Sequence, residues 1–425
     1  MEINYKEAHT CKKTVLPNGL RVITEEVPFM QSVSLGIWVR CGSRYEEPDV
    51  NGICHFIEHM LFKGTDRRSA YAIAREIDSV GGVLNAFTSK ELTSFYCKVI
   101  KDKLELAVDL LTDLFLNASF PDEEIEREKQ VVCQEIYQLE DSPEDLVHEI
   151  LGTRSWGKNP LGQPVLGTVP GLMKLDRETI VRFKNQAYST TNTIVCAAGN
   201  VNHAYLVDLI DRSMGRLTAG PDRQHTPAGS IRPAVHVLNR DLEQVHVCVG
   251  MNGPSAVDES RHAGYILNTI LGGGMSSRLF QEIREKRGLA YSVYSFLSSY
   301  SDAGLLGVYA GSEPIHFEEL LRILRKETLE LSSNITEDDM RTAKDHIKGN
   351  VVLAMESSEA RMNRLAKGEY FFGRYIPMEE IVDSLENVTL DHLLQTAEFY
   401  LGSGKVNLVA IGPIDEGAEV FQAFQ

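Results

Sequence analysis

Two histidines and a glutamate lie close together in the segment 55–59, which reads HFIEH. In a helix, positions i and i+4 lie on one face about one turn apart, so the imidazoles of His55 and His59 can converge on one ion. Neutral imidazole is a preferred zinc ligand, and a catalytic zinc site keeps one position open for water. Glu58 lies on the same side of such a helix as His55. The spacing therefore predicts two metal ligands, His55 and His59, and a general base, Glu58, which takes a proton from the attacking water.

A catalytic zinc site needs a third protein ligand, and the segment 121–138, PDEEIEREKQVVCQEIYQ, offers two candidates. Its opening proline and acidic residues, followed by periodic apolar residues, predict a helix. Glu128 and Glu135 are seven residues apart, close to two full turns, so both carboxylates face the same way. One can bind the metal while the other accepts a hydrogen bond from a ligating histidine. Spacing alone leaves open which carboxylate has which role.

Each of these features also has an ordinary structural interpretation. A lone histidine on a helix is typical of a core or surface residue, and a glutamate-rich helix is typical of a solvated face. Together they favour a metal site, because the His-x-x-Glu-His spacing is rare in a chain with 12 histidines. We interpret Cys54, next to His55, as a buried inert thiol rather than a ligand.

Composition narrows the class of protein. A chain of 425 residues is too long for one ordinary core and predicts two domains. A net charge of −17 argues against a nucleic-acid partner and suits basic substrates. No apolar run approaches the roughly 18 residues of a membrane span, and the polar start does not match a secretory signal. The seven scattered cysteines are typical of a reducing compartment, so we expect a cytoplasmic protein.

The segment 216–233, RLTAGPDRQHTPAGSIRP, is rich in glycine and proline and lacks periodicity. It predicts a linker between a zinc-bearing domain, 1–219, and a second domain, 233–425. On both sides a strand-like segment leads into a helix, and a later strand-like segment precedes an amphipathic helix. In the first half the two strand-like segments are 33–39 and 93–99, and the amphipathic helix is 104–115. In the second half the strand-like segments are 245–251 and 304–310, and the amphipathic helix is 317–331.

This recurrence predicts an α+β fold with two similar domains, each an antiparallel sheet packed with helices. Identity between the two halves is low, so the repeat is one of pattern rather than of sequence.

The motif and its surroundings resemble the inverzincins, the family of insulinase, pitrilysin and the mitochondrial processing peptidases. The resemblance rests on GSRYEE at 42–47, EHMLFKGT at 58–65, NAFTS at 85–89, and the pair Glu128 and Glu135. It covers nearly the whole chain, whose size is similar to that of the short bacterial members that resemble processing proteases.

The resemblance implies a role for each of these residues. His55, His59 and Glu135 would bind one zinc ion per chain, with Glu58 as the base and Glu128 supporting a ligating histidine. The stretch 82–88 is similar to the edge strand on which the family binds an extended substrate. Asn85, Ala86 and Phe87 would therefore contact the peptide by β-augmentation. An ordinary edge strand after a Gly-Gly turn is the alternative interpretation of this stretch.

The second half has no His-x-x-Glu-His motif. Its segment 271–280, LGGGMSSRLF, and the residues Arg284 and Tyr291 match the family's glycine-rich segment and Arg/Tyr pair. That match implies that Arg284 and Tyr291 stabilise an oxyanion beside the scissile bond.

Family members enclose the substrate in a chamber of four such half-domains, and this chain supplies two. We therefore expect a homodimer in which Arg284 and Tyr291 of one subunit complete the zinc site of the other. A heterodimer with a degenerate partner is the family's other arrangement.

The predicted function is that of a zinc-dependent endopeptidase, a metalloendopeptidase that cleaves peptides or unfolded segments in a closed chamber. One alternative is a non-catalytic structural or partner subunit of a larger assembly. Another is a zinc hydrolase of non-peptide substrates.

Overall fold

The computed structural model describes residues 10–402, 404–415 and Phe421. Within them the strands are β1 Thr10–Val15, β2 Arg21–Glu26, β3 Ser32–Val39, β4 Val83–Thr88, β5 Thr93–Ile100, β6 Thr193–Gly199, β7 Ala234–Asn239, β8 Val245–Gly253, β9 Ala290–Ser299, β10 Gly304–Ser312 and β11 Asn407–Gly412.

The α-helices are numbered in the same way. They are α1 Ile53–Leu61, α2 Ala70–Asp78, α3 Leu104–Asn117, α4 Asp122–Asp141, α5 Pro143–Trp156, α6 Val169–Leu172, α7 Arg177–Ala187, α8 His203–Met214, α9 Arg261–Gly272, α10 Phe317–Leu329, α11 Leu331–Asn334, α12 Glu337–Ala354, α13 Ser358–Phe372, α14 Met378–Glu386 and α15 Leu390–Leu401. A π-helix covers Phe280–Glu285. Among the described residues, every helix is too short or too polar to span a lipid bilayer.

The chain divides into two compact units, and each is assembled from three segments. Unit 1 consists of Met1–Tyr137, Gln163–Thr226 and Leu353–Pro377. Unit 2 consists of Gln138–Gly162, Pro227–Val352 and Met378–Gln425.

Unit 1 is built on a six-stranded sheet with the order β1-β2-β6-β3-β5-β4. Neighbouring strands are antiparallel except β2 and β6, which are parallel. Strands β3 and β6 are buried along nearly their whole length, as expected for strands that are covered on both faces. One face packs against α1 and α3 through an extensive apolar core. Strand β4 lies at the edge of the sheet.

Unit 2 repeats the last five positions of this order in a five-stranded sheet, β7-β11-β8-β10-β9, whose described strands include no counterpart of β1. Its parallel pair, β7 and β11, corresponds to β2 and β6, and its other pairs are antiparallel. The α+β fold with two similar halves is therefore confirmed. Each sheet is antiparallel, as predicted, apart from this one parallel pair. In each unit that pair joins a strand to one far along the chain, so a hairpin turn does not constrain the direction.

The units exchange one helix each. Helix α13 follows the second half in sequence but packs on β2, β3 and β6 of unit 1, where Met362 and Leu365 contact the cluster around Trp38. Helix α5 belongs to the first half but packs on β8 and β11 of unit 2 through Leu146 and Leu151. Each exchanged helix covers the sheet face opposite the main helical layer.

This exchange changes the predicted domain boundaries 1–219 and 233–425. The division at Thr226 and Pro227 falls inside the predicted linker 216–233. The segments Gln138–Gly162 and Leu353–Pro377, however, each belong to the opposite unit. The physical reason is that an amphipathic helix must bury its apolar face, but its local pattern does not specify which sheet covers that face.

Candidate metal centre

Helix α1 is held in place by a buried carboxylate in front of it. Glu46 accepts hydrogen bonds from the backbone N–H groups of Gly52 and Cys54 at 2.7 and 2.8 Å. It also accepts one from the Asn51 amide at 2.7 Å. The first N–H groups of a helix lack partners within the helix, and a negative charge there is favourable. Glu46 therefore fixes the position at which the helix with His55 and His59 begins.

The residue before α1 must be a glycine. Gly52 has a φ of 97°, in the left-handed region that side chains rarely adopt. A Cβ atom there would lie 2.8 Å from the Leu166 carbonyl oxygen and 2.9 Å from the Gly167 Cα. Backbone atoms cannot move aside as a flexible side chain can, so the loop and the helix approach each other only because this position lacks a Cβ.

Three predicted ligands converge in unit 1. The His55 and His59 rings are 4.5 Å apart between centroids, one helical turn from each other. The carboxylate of Glu135, on α4, lies opposite them: its Oε2 is 3.7 Å from His55 Nε2, and its Oε1 is 3.6 Å from His59 Nε2. Among the described residues, these three form the one group of three or more His, Cys, Asp or Glu side chains whose ligand atoms all lie within 4.8 Å of one another.

The second carboxylate of α4, Glu128, contacts the His59 ring at Nδ1, the ring nitrogen that does not face Glu135. Glu128 Oε1 lies 2.8 Å from His59 Nδ1, within hydrogen-bonding distance. Its Oε2 lies 2.6 Å from the Lys63 ammonium, and the Glu128 side chain is buried. With Nδ1 donating to Glu128, His59 turns the lone pair of Nε2 toward Glu135. The geometry thus places Glu135 with the ligand atoms and Glu128 behind them.

These environments set the charge of each imidazole. Burial, reinforced by the neighbouring His59, lowers the pKa of His55 to about 3, so His55 is neutral and able to bind a metal. Burial also acts to lower the pKa of His59. The hydrogen bond to Glu128 and the charges of Glu135 and Glu128 outweigh burial and raise that pKa. A divalent cation would compete with the proton for this nitrogen.

The predicted base, Glu58, is held by a hydroxyl group. Thr88 Oγ1, at the end of β4, donates a hydrogen bond of 2.6 Å to Glu58 Oε2. Burial raises the pKa of Glu58, while the Thr88 bond and the charge of His59 oppose the shift. A carboxylate with a raised pKa is better matched to accepting and returning a proton near neutral pH.

The donor set fits a zinc ion. Ligands about 2.0–2.2 Å from a tetrahedral ion lie roughly 3.3–3.6 Å from one another. The separations of 3.6 and 3.7 Å between Glu135 and the two Nε2 atoms are close to that spacing. Two imidazole nitrogens and one carboxylate are also a set that catalytic zinc sites use, with the fourth position left for water or substrate.

Strand β4 presents its free edge near the end that carries Thr88. Asn85 is exposed, whereas Ala86 and Phe87 are partly buried. The backbone N–H of Ala86 donates a 2.9 Å hydrogen bond to the Asn85 side-chain oxygen. The Asn85 side-chain oxygen thus takes the position at which the backbone carbonyl of an added strand would accept a hydrogen bond from the Ala86 N–H. Phe87 packs edge-on against Trp38, with ring centroids 5.3 Å apart.

The predicted Arg/Tyr pair lies in unit 2. Arg284, in the π-helix, lies over the rings of Tyr291 and Phe280, at 4.5 and 4.8 Å from their centroids. Tyr291, near the start of β9, is 79% exposed, so its hydroxyl is accessible from outside the subunit. Cation–π contacts on two sides fix the direction of the guanidinium. A π-helix at this position is notable because such turns are frequent at functional sites.

Two family profiles match the chain. The profile of insulinase (peptidase family M16) matches residues 21–169, and that of the peptidase M16 inactive domain matches residues 174–347. An uncharacterized zinc protease of Streptomyces coelicolor is 41% identical over 96% of this chain and 90% of its own length. For an uncharacterized zinc protease of Bacillus subtilis, the identity is 36% over 90% of this chain and 93% of that protein.

Solved structures show the same fold. A protease from Helicobacter pylori has a TM-score of 0.87 and 22% identity, over 95% of this chain and 100% of that chain. A peptidase M16 inactive-domain protein from Pseudomonas fluorescens also has a TM-score of 0.87, with 20% identity over 96% of this chain and 98% of that chain.

The chain therefore belongs to the insulinase family, peptidase family M16, and it is a metalloprotease. The resemblance to the short bacterial inverzincins is confirmed.

Three residues of the site were not assigned roles from the sequence: Glu46, Lys63 and Thr88. Glu46 bonds to backbone N–H groups at the start of α1. Lys63 pairs with Glu128, and Thr88 bonds to Glu58. No helical period links the two partners in any of these contacts. A partial signal exists for Lys63, since it lies four residues after His59 and so shares a face of the chain with it if the helix continues.

Proposed function

We propose that this metalloprotease is a zinc-dependent endopeptidase that holds one zinc ion per chain between His55, His59 and Glu135. The observation that carries the proposal is the convergence of these donors at 3.6 and 3.7 Å, with Glu128 bonded to the back of His59. Glu58 is the general base, and Glu128 orients His59.

A bound zinc ion supplies Lewis acidity toward the substrate carbonyl and toward water. Glu58 accepts the proton of the attacking water as the new C–O bond forms. When the C–N bond breaks, Glu58 returns that proton to the leaving amine, so it ends in its starting state. Burial supports this cycle because it raises the pKa of Glu58.

The substrate is a peptide or unfolded segment in extended form, added as a strand to the free edge of β4. Ala86 supplies backbone pairing groups, and the Asn85 side chain swings away from the Ala86 N–H when the peptide carbonyl replaces it. Phe87 holds the strand through its contact with Trp38. Pairing through backbone groups selects a substrate with an extended main chain and depends little on the side chains of that substrate.

The active assembly is a homodimer with a closed chamber, in which Arg284 and Tyr291 of one subunit complete the zinc site of its partner. The exposed hydroxyl of Tyr291 and the aligned guanidinium of Arg284 support this role, since both can face a developing oxyanion. The acidic chain, with a net charge of −17, favours basic peptides. We assign the protein to the cytoplasm. Its proposed role there is that of a processing peptidase that cleaves unfolded segments.

The variant Glu58→Gln tests the catalytic assignment. It should retain zinc by elemental analysis but lose about 10²–10⁴-fold in turnover of a quenched basic peptide. Glu123→Gln, an exposed change in the first turn of α4, is the matched control and should keep full activity. Full activity of Glu58→Gln, or activity that survives complete removal of metal by a chelator, would refute the proposal.

Mixing inactive subunits tests the shared site. Random exchange between Glu58→Gln and Tyr291→Phe subunits should restore about a quarter of wild-type activity, because half of the dimers then contain one complete site. Mixing Glu58→Gln with the double variant Glu58→Gln/Tyr291→Phe should restore nothing. Verified subunit exchange without recovery in the first mixture would contradict completion in trans.

A further inference from the structure

The general base and the edge strand are joined by one hydrogen bond. Thr88 is the last residue of β4, and its hydroxyl donates to Glu58 Oε2 at 2.6 Å. That length is typical of a hydroxyl bonded to an ionised carboxylate, a class of hydrogen bond stronger than neutral pairs. A threonine hydroxyl has one proton to donate, and here the carboxylate receives it.

The surroundings of Thr88 support this direction of donation. Its cross-strand partner on β5 is Thr93, whose Oγ1 donates to the Cys41 carbonyl oxygen at 2.8 Å. The two threonine oxygens are 3.4 Å apart. Thr93 donates away from Thr88, and the Thr88 oxygen lies closer to Glu58, at 2.6 Å, than to Thr93, so the carboxylate is the better acceptor of the Thr88 proton. Both threonines are β-branched, which restricts χ1 and keeps the hydroxyls in these positions.

We propose that Thr88 is a positioning residue for the hydrolytic reaction: its hydroxyl fixes the carboxylate of Glu58 relative to the strand that binds the substrate. The bond occupies Oε2 and leaves Oε1 as the oxygen that accepts the proton of water. Since Thr88 belongs to β4, a peptide paired with β4 is in register with the base that serves it. This inference rests on the proposed function, because it assigns Thr88 to act through Glu58.

The test replaces the hydroxyl with a methyl group of similar size. Thr88→Val should lower kcat about ten-fold, since a carboxylate that rotates freely is misplaced for proton transfer. KM should stay within about two-fold, because the backbone of β4 that pairs with substrate is unchanged. Thr88→Ser, which restores a hydroxyl, should recover most of kcat. Zinc content should match wild type in both variants.

A matched control separates positioning from stability. Thr65 Oγ1 donates a 2.8 Å hydrogen bond to the buried carboxylate of Asp113, also in unit 1. Thr65→Val removes this bond, and also the two that Thr65 Oγ1 accepts from the backbone N–H groups of Arg67 and Arg68. It should therefore lower the thermal midpoint while leaving kcat unchanged. Were Thr65→Val to lower kcat as much as Thr88→Val, or Thr88→Ser to recover nothing, the positioning role would be overturned.

The two variants distinguish the role of Thr88 from the role of Glu58. Unchanged kcat in Thr88→Val, together with an inactive Glu58→Gln, overturns the role of Thr88 alone. Full activity in Glu58→Gln overturns the proposed function, whatever Thr88→Val does.

Discussion

Units 1 and 2 share a strand order, but the metal-ligand group lies in unit 1. In each, the strand next to the parallel pair, β3 or β8, leads through a turn to a helix, α1 or α9. Helix α1 carries His55 and His59 with Glu58 between them. Helix α9 carries one histidine, His262, with Ile266 four residues later. Burial lowers the pKa of His262 to about 4, so it too is neutral, but it has no second imidazole one turn away on α9.

Helix α4, which carries Glu128 and Glu135, differs in the same way from the corresponding helix of unit 2, α12. Both α4 and α12 open with three acidic residues, and counting from those starts aligns the buried Lys129 with the buried Lys344. In that alignment Ala343 and Asn350 of α12 stand where α4 has Glu128 and Glu135. Helix α12 therefore lacks carboxylates at the two positions aligned with those of α4. This fold therefore supplies positions for a metal site, whereas the side chains at those positions decide whether one forms.

The largest effect on zinc affinity is expected when Glu135 of α4 is replaced by the residue type that α12 carries at the aligned position, asparagine. Glu135→Asn replaces a carboxylate with a poorer amide ligand, so zinc affinity should fall by at least about 100-fold, beyond the usual cost of losing a supporting residue. Competition with a chromophoric chelator measures the affinity. Asn350→Ala, the matched change in unit 2, should have no effect on it. Retained affinity in Glu135→Asn would place the third ligand elsewhere.

A smaller effect is expected at the supporting carboxylate. Glu128→Ala copies Ala343 and removes the acceptor for His59 Nδ1, so zinc affinity should fall about 10–100-fold. Glu128→Gln keeps an oxygen acceptor and should lose less in the same chelator titration. Equal losses in the two variants would show that charge, rather than the hydrogen bond, supports His59.

The smallest effects concern the exchanged helices, which begin alike in the two units. Ser142 accepts from the backbone N–H of Asp145 at the start of α5, and Ser357 from that of Ala360 at the start of α13. Ser142→Ala and Ser357→Ala should each lower the free energy of unfolding by about 1 kcal/mol in urea titrations. Zinc content should not change. A loss confined to one variant would show that the two helices are not equivalent in their host units.

Much of the site could be predicted because helical periodicity carries geometry. The spacing of His55 and His59 predicts a shared face, and two full turns bring Glu128 and Glu135 to one side of α4. That spacing could not assign the two carboxylates, because both face the same way. In the structure the difference arises from where α4 passes α1: Glu135 faces the two Nε2 atoms, and Glu128 faces Nδ1 of His59.

The remaining features depend on contacts between segments with no periodic relation. Thr88 is 30 residues from Glu58 in sequence, and its hydroxyl has several possible partners in a strand. Glu46 acts on N–H groups that are without partners only once α1 has formed. The destinations of α5 and α13 depend on which sheet face is open, so contiguous domains were the expectation from the sequence.

By itself, the sequence determined the elements, the internal repeat and the residue types able to bind a divalent cation, because periodicity and side-chain chemistry are local properties. The tertiary contacts settle which carboxylate faces the imidazoles, which hydroxyl bonds to Glu58 and which sheet each exchanged helix covers. Those choices depend on distances between distant segments, which arise when apolar faces are buried together and buried polar groups find their partners.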